Sequence, residues 1–153
     1  MITKYFSVFL LSVALLLASC ATGGSTTGGG DVRYVQARNY FFRNDAKQPD
    51  GLLVMHSQAE MDRYFGPAAV MGKGGEPTQI DFSKSFAVAK VLPVTDRPTQ
   101  IEPRRIERTG KKAIRVVWHV TVSGSKQSYA MQPMCILVID NQYKDFALSE
   151  QVQ

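Results

Sequence analysis

The chain has 153 residues, with 18 lysines and arginines against 13 aspartates and glutamates, for a formal net charge of +5. At 44% hydrophobic and 10% aromatic residues it is apolar enough to fill the core of one domain. No internal repeat is visible, which excludes a repeat architecture.

Residues 1–19 read as a targeting segment outside the fold. Lys4 gives a short positive start, and residues 5–17 form an apolar run without a charge. At about 13 residues this run is short of the ~20 that span a bilayer as a helix. It ends in Leu17-Ala18-Ser19-Cys20, an aliphatic residue and two small ones before a cysteine. This tetrapeptide resembles the lipobox of bacterial lipoproteins processed by signal peptidase II. The resemblance implies cleavage before Cys20, lipidation of its thiol and attachment to a membrane, where each buried CH₂ contributes ~0.8 kcal/mol. Residues 21–30 are glycine, serine and threonine apart from Ala21, and are expected to behave as a flexible tether, leaving residues 31–153 as a single soluble domain. No acidic residue follows Cys20 directly. By the same resemblance, the expected location is the cell envelope, at the outer membrane facing the periplasm, with surface exposure as the alternative. Export excludes nucleic acid as a partner.

Strand formers crowd residues 32–43, and turn residues follow at Asn44-Asp45 and Pro49-Asp50-Gly51. Residues 52–55 then read as the return strand of a hairpin. Ser57 with Glu60 is a capping box, and Met61, Tyr64 and Phe65 fall on one face of the helix it opens. Gly66-Pro67 stops that helix. A second short helical turn is expected at 67–71, then a loop over 72–77.

Asp81 to Lys84 reads as a turn into a strand over 85–92. Phe86 and Val88 share one face of it, and Ala87, Ala89 and Val91 the other, which suggests a central strand. Residues 93–99 form a proline-stiffened loop. Residues 101–107 make a strand that Pro103 demotes to an edge. The strongest β pattern follows, with Ile114, Val116, Trp118, Val120 and Val122 alternating with Arg115, Val117, His119, Thr121 and Ser123. Residues 123–126 turn the chain, 127–131 and 134–139 return it with a kink at Pro133, 140–141 turn again, and 143–152 are a last strand or tail. The expected fold class is α+β: a mostly antiparallel twisted sheet or half-open barrel with one short helix.

No catalytic or metal-binding signature emerges, and no cofactor is implied. Once Cys20 carries lipid, Cys135 has no disulfide partner and reads as a buried structural thiol. His56 belongs to the helix entrance, and His119 lies on the strand face opposite Trp118. Neither has the neighbours of a zinc site. A binding module fits better. Its candidate contact is the 93–99 loop, with Asp96, Arg97 and Pro98 at its centre, because two prolines lower the entropy lost on binding. A second candidate surface is a basic edge made by Arg104, Arg105, Lys111 and Lys112, suited to cell wall or anionic lipid.

The stretch Ile80-Asp81-Phe82-Ser83-Lys84-Ser85-Phe86-Ala87-Val88-Ala89 resembles the start of the PrcB-like C-terminal domain, found in lipoproteins associated with a secreted protease complex. The helix at 57–65 and a later strand at 129–133 agree in order and type, over about half the chain beyond residue 19. In place of that family's Gly-Gly-Tyr-like segment stands Thr95-Asp96-Arg97-Pro98-Thr99. The resemblance implies a non-enzymatic protein that binds a protein partner, a protease held by a stabiliser or inhibitor, and it carries over no catalytic residue.

Overall fold

Both faces of residues 85–91 are apolar, and in the computed structural model, which describes residues 32–153 and the backbone of Thr27–Gly28, they form an interior strand. The strands of this sheet are β1 (Thr27–Gly28), β2 (Tyr34–Ala37), β4 (Leu53–Met55), β6 (Ser85–Val91) and β9 (Met134–Asp140). Their order is β1-β2-β9-β6-β4, with every pair antiparallel. Phe86 and Val88 face one core together with Cys135, Leu137 and Ile139. Ala87, Ala89 and Val91 face a second core with Ile136. A strand buried on both sides is driven by burial twice over, at about 1.5–3 kcal/mol for each large side chain fully withdrawn from water.

The first core is closed by a three-stranded sheet of β7 (Thr99–Gly110), β8 (Ala113–Val122) and β10 (Ala147–Val152), in the order β10-β8-β7. Ile114, Val116 and Trp118 of β8 and Ile101 and Ile106 of β7 point inward. Ile101 and Ile106 are an odd number of residues apart and would face opposite ways in a regular strand. A register shift between Pro103 and Arg105 restores them to one face. β7 is the outer strand of its sheet, where the missing N–H of Pro103 is tolerated.

The second core is covered by helix α1 (Gln58–Tyr64) and a small ribbon of β3 (Tyr40–Phe42) and β5 (Phe65–Pro67), which supply Met61, Phe42 and Phe65. The helix starts where Ser57 Oγ accepts from Glu60 N at 3.2 Å, and the Glu60 carboxylate accepts from His56 N at 2.6 Å. It stops at Phe65, which is already extended (φ −126°, ψ 140°) and paired with Phe42. Mostly antiparallel sheets with one short α-helix thus make up the described residues, and no barrel closes.

Four local expectations are corrected. The hairpin expected between residues 32–43 and 52–55 does not form. Asn39, with φ 61°, splits the first segment into β2 and β3, which join different sheets, while β4 pairs with β6. Asparagine tolerates this left-handed backbone, and its amide fixes it by donating to Gly74 O at 3.0 Å and Glu76 O at 2.8 Å. No helical turn occurs at 67–71, where residues 65–67 are taken up as β5 against β3. Residues 127–131 are not a strand, since only Met131 makes a bridge, to Thr95. Finally, β9 does not return beside β8 but crosses to the other sheet. The chain comes back through a 3-10 turn, Asn141–Tyr143, and Ala147 N meets Lys112 O at 2.9 Å. Entering at the start of β8, β10 must run parallel to it.

Candidate functional site

The 93–99 loop joins the end of β6 to the start of β7 and is braced along its length by the residues that follow β8. Thr95 and Met131 exchange backbone hydrogen bonds, both at 2.8 Å. Gln127 N donates to Asp96 O at 2.7 Å and Ser123 N to Pro98 O at 2.9 Å. Within the loop, Arg97 N donates to Thr95 Oγ1 at 3.1 Å and Thr99 Oγ1 to Arg97 O at 3.0 Å. Ordering is thus in place before any partner arrives.

Of the three residues singled out from sequence, Asp96 and Pro98 serve the loop itself. The Asp96 carboxylate pairs with Lys126 Nζ at 2.9 Å, and the Pro98 carbonyl continues the β7–β8 ladder. Arg97 is exposed, and its guanidinium makes no salt bridge among the described residues. The loop, the end of β8 and the bracing segment carry Val94, Val122 and Tyr129 in turn, large apolar side chains that are all more than half exposed. Sequence reading placed Val122 on the buried face of β8. Pairing with Thr99 at the end of the ladder, it lies past the last inward contact of the sandwich. Tyr129 carried no periodic signal, since its segment is irregular.

Two cavities flank residues 131–134. One of about 340 Å³ lies between the first residues of β7 and this segment, with Gln36 on its wall. The other, of about 380 Å³, is lined by Phe42, Arg43, Ala46, Gln48, Pro93 and Val94 among others. Gln132 reaches both. Its amide donates to Gln48 Oε1, and Gln48 in turn donates to Val91 O at 3.0 Å. At the rim of the larger cavity the Arg43 guanidinium grips Asp45 and holds its carboxyl below the usual range. Amide side chains, methionines and prolines line these walls together with Glu102 in the smaller cavity and Arg43 in the larger.

No family model, curated protein or solved structure matches this chain. Its chemistry must be judged from the side chains alone. Cys135 is buried, and burial, with a smaller push from the charge of Glu102, raises its thiol to about 12. A thiol held protonated at neutral pH is a poor nucleophile. His119 sits on the outer face of β8 opposite Glu102, on the far side of that sheet from Cys135. His56 is exposed at the helix entrance and stacks on Phe86 with centroids 5.6 Å apart. The structure does not bring these three together. No group of three His, Cys, Asp or Glu among the described residues is placed to hold a metal.

The basic edge is divided. Arg105 Nε is 2.8 Å from Glu107, which also lies 3.6 Å from Arg115. Arg104, Lys111 and Lys112 are exposed. The two lysines form the β7–β8 turn, and Arg97 precedes the other end of β7. The length of β7 puts the two lysines about 35 Å from Arg97, whereas Arg104 and Arg105 lie midway along the strand. Cys20 and the lipobox lie outside the described residues, as does the expected tether except for Thr27–Gly28, which pairs with β2 as β1 instead of running free. No helix among the described residues is long and apolar enough to cross a membrane.

Proposed function

We propose that this chain is a lipid-anchored, non-enzymatic protein of the cell envelope whose domain binds a protein partner at the loop pole. The observation that supports the reading is a braced and exposed loop. The 93–99 loop is braced by residues 123–131, and this pole carries Arg97, Val94, Val122 and Tyr129, all exposed. An arginine among exposed aromatic and aliphatic side chains has the composition of an interface hot spot. The lipobox at Leu17-Ala18-Ser19-Cys20 supplies the anchor, and the resemblance of residues 80–89 to protease-complex lipoproteins points to a protease as the partner, stabilised or inhibited. Arg97-Pro98 suits such a role, because a bond after arginine that precedes proline resists trypsin-like cleavage.

The test is recovery of partners by the native chain from detergent-solubilised envelopes, read by mass spectrometry beside a Cys20→Ala control. One reproducible protein partner is expected, with recovery reduced at least about tenfold in an Arg97→Ala, Pro98→Ala double variant. Unchanged recovery in the double variant would sink the loop assignment. Recovery of wall or lipid fragments alone, lost at high salt, would move the function to the basic edge.

A further inference from the structure

On the side where β2 meets β7, the seam between the two sheets is stitched below the loop pole. There Val32 N donates to Ile106 O at 3.1 Å, and the Tyr34 hydroxyl donates to Pro103 O at 3.3 Å. Towards the pole, Asn39 turns the chain away after β2, and the seam opens into the cavity of about 340 Å³.

Ladder parity tells which backbone groups face this cavity. In an antiparallel pair, alternate residues direct N–H and C=O at the partner strand, and those between direct them away. Ser123 N donates to Pro98 O in the register that pairs Thr99 with Val122, so Gln100 and Glu102 bond towards β8. Thr99 and Ile101 therefore present their N–H and C=O to the outer edge of β7. The Tyr34 bond to the Pro103 carbonyl, two residues on, follows the same parity. On the opposite wall, Leu92 N donates to Pro133 O in the β6–β9 register, so Met134 directs its N–H and C=O away from β6. That is the side occupied by β2, whose last pair with β9 is Ala37 with Ile136. Among the described residues no backbone partner meets Thr99, Ile101 or Met134 on these sides.

We propose that this cavity is a strand-acceptor slot. It takes a short extended segment of a protein partner, whose backbone pairs with Thr99 and Ile101 on one wall and Met134 on the other. The proposal rests on the protein-binding reading above and states the form in which the partner is held. Unpaired strand edges are templates for an added strand. Here two such edges line one cavity, so one segment laid in it can reach both. Glu102, exposed at the rim and in no salt bridge among the described residues, favours a segment carrying lysine or arginine.

The probe is a displayed library of linear heptapeptides, panned on the detergent-solubilised full chain. The tightest binder is then remade with N-methyl groups on alternate amides, in the two possible phases. Binding is expected to slow amide exchange at Thr99, Ile101 and Met134, and one N-methyl phase to weaken it by about tenfold or more while the other does not. Thr99→Pro should weaken the peptide to a similar extent, since the N–H it removes points away from β8. The N-methyl comparison stands even if that variant fails to fold. Equal binding by both phases, protection elsewhere, or no selectable peptide overturns the slot. A partner recovered from envelopes that leaves these three amides exchanging refutes the slot while the binding module stands. A peptide held in the slot with no partner recovered does the reverse.

Discussion

Lys90 and Glu150 join the two sheets across the edge of the first core, and their separation should reveal how much that link is worth. Lys90 Nζ lies 2.7 Å from Glu150 Oε1, with side chains only 15% and 24% exposed. Glu150 Oε2 is buried with no hydrogen-bond partner among the described residues, so Lys90 is the nearest compensation for the carboxylate. Breaking a fully buried pair by removing one partner costs about 3–5 kcal/mol. With roughly a fifth of each side chain still wet, Lys90→Ala should cost about 2–3 kcal/mol. For a domain of about 120 residues, unfolding entropy converts this into a Tm lower by about 10 °C. The internal control is Lys126→Ala, which breaks the Asp96 pair of similar length, 2.9 Å, with side chains 71% and 44% exposed. That loss should stay under about 1 kcal/mol. Replacing both partners, Lys90→Met with Glu150→Leu, should recover most of the stability, because the desolvation penalty disappears with the charges. Urea unfolding of the three variants, fitted with a common m-value, reads all of this. A Lys90→Ala loss within about 0.5 kcal/mol of the Lys126→Ala loss would refute the reasoning from burial.

Alkaline pH should destabilise the fold through Cys135. Its thiol is raised from 9.0 to about 12 in the folded chain, so the folded state keeps a proton that the unfolded state releases. The contribution is complete below about pH 9 and is lost as pH rises towards 12, about 2 kcal/mol of it by pH 10.5. Cys135→Ala should fall less steeply over that window, and an equal slope in urea midpoints would exclude the thiol as the cause. Gly75→Ala should be more damaging than Gly66→Ala. A Cβ at Gly75 would stand 1.9 Å from the backbone oxygen of Val70, whereas at Gly66 it meets the ring of Phe41, which is 47% exposed and free to swing aside. Chemical denaturation should rank them in that order by at least about 1 kcal/mol, and the reverse order would show that the 70–75 loop yields more easily than the ring.

Legibility followed the range of the forces involved. The two-faced pattern of residues 86–91, the Ser57–Glu60 cap and the long alternation in β8 are written in adjacent residues, and each appears where expected. The hairpin failed because strand propensity is a property of a segment, whereas pairing is a property of two. Leu53 to Met55 gain more by closing the edge of β6 over the second core than by pairing with β3. The parallel placement of β10 was invisible for the same reason, since its partner lies 34 residues earlier in register, Ala147 against Ala113. At the proposed binding surface, the loop that carries Arg97 was legible from its prolines. Val122 and Tyr129 were not, because exposure at a strand end depends on where the opposing sheet stops.

By itself the sequence determined the strand-rich class, the single capped helix, the doubly apolar β6, the edge status of β7 and the burial of Cys135, all of which rest on periodicity and side-chain chemistry. Only the tertiary structure decided which strands are neighbours, that the 93–99 and 123–131 loops brace each other, and that β2 stops short of the loop pole. The physical reason is that backbone hydrogen bonding carries no residue label. Thr99, Ile101 and Met134 acquire edges unpaired among the described residues from the register of the strands beside them and from the turn at Asn39, not from what they are.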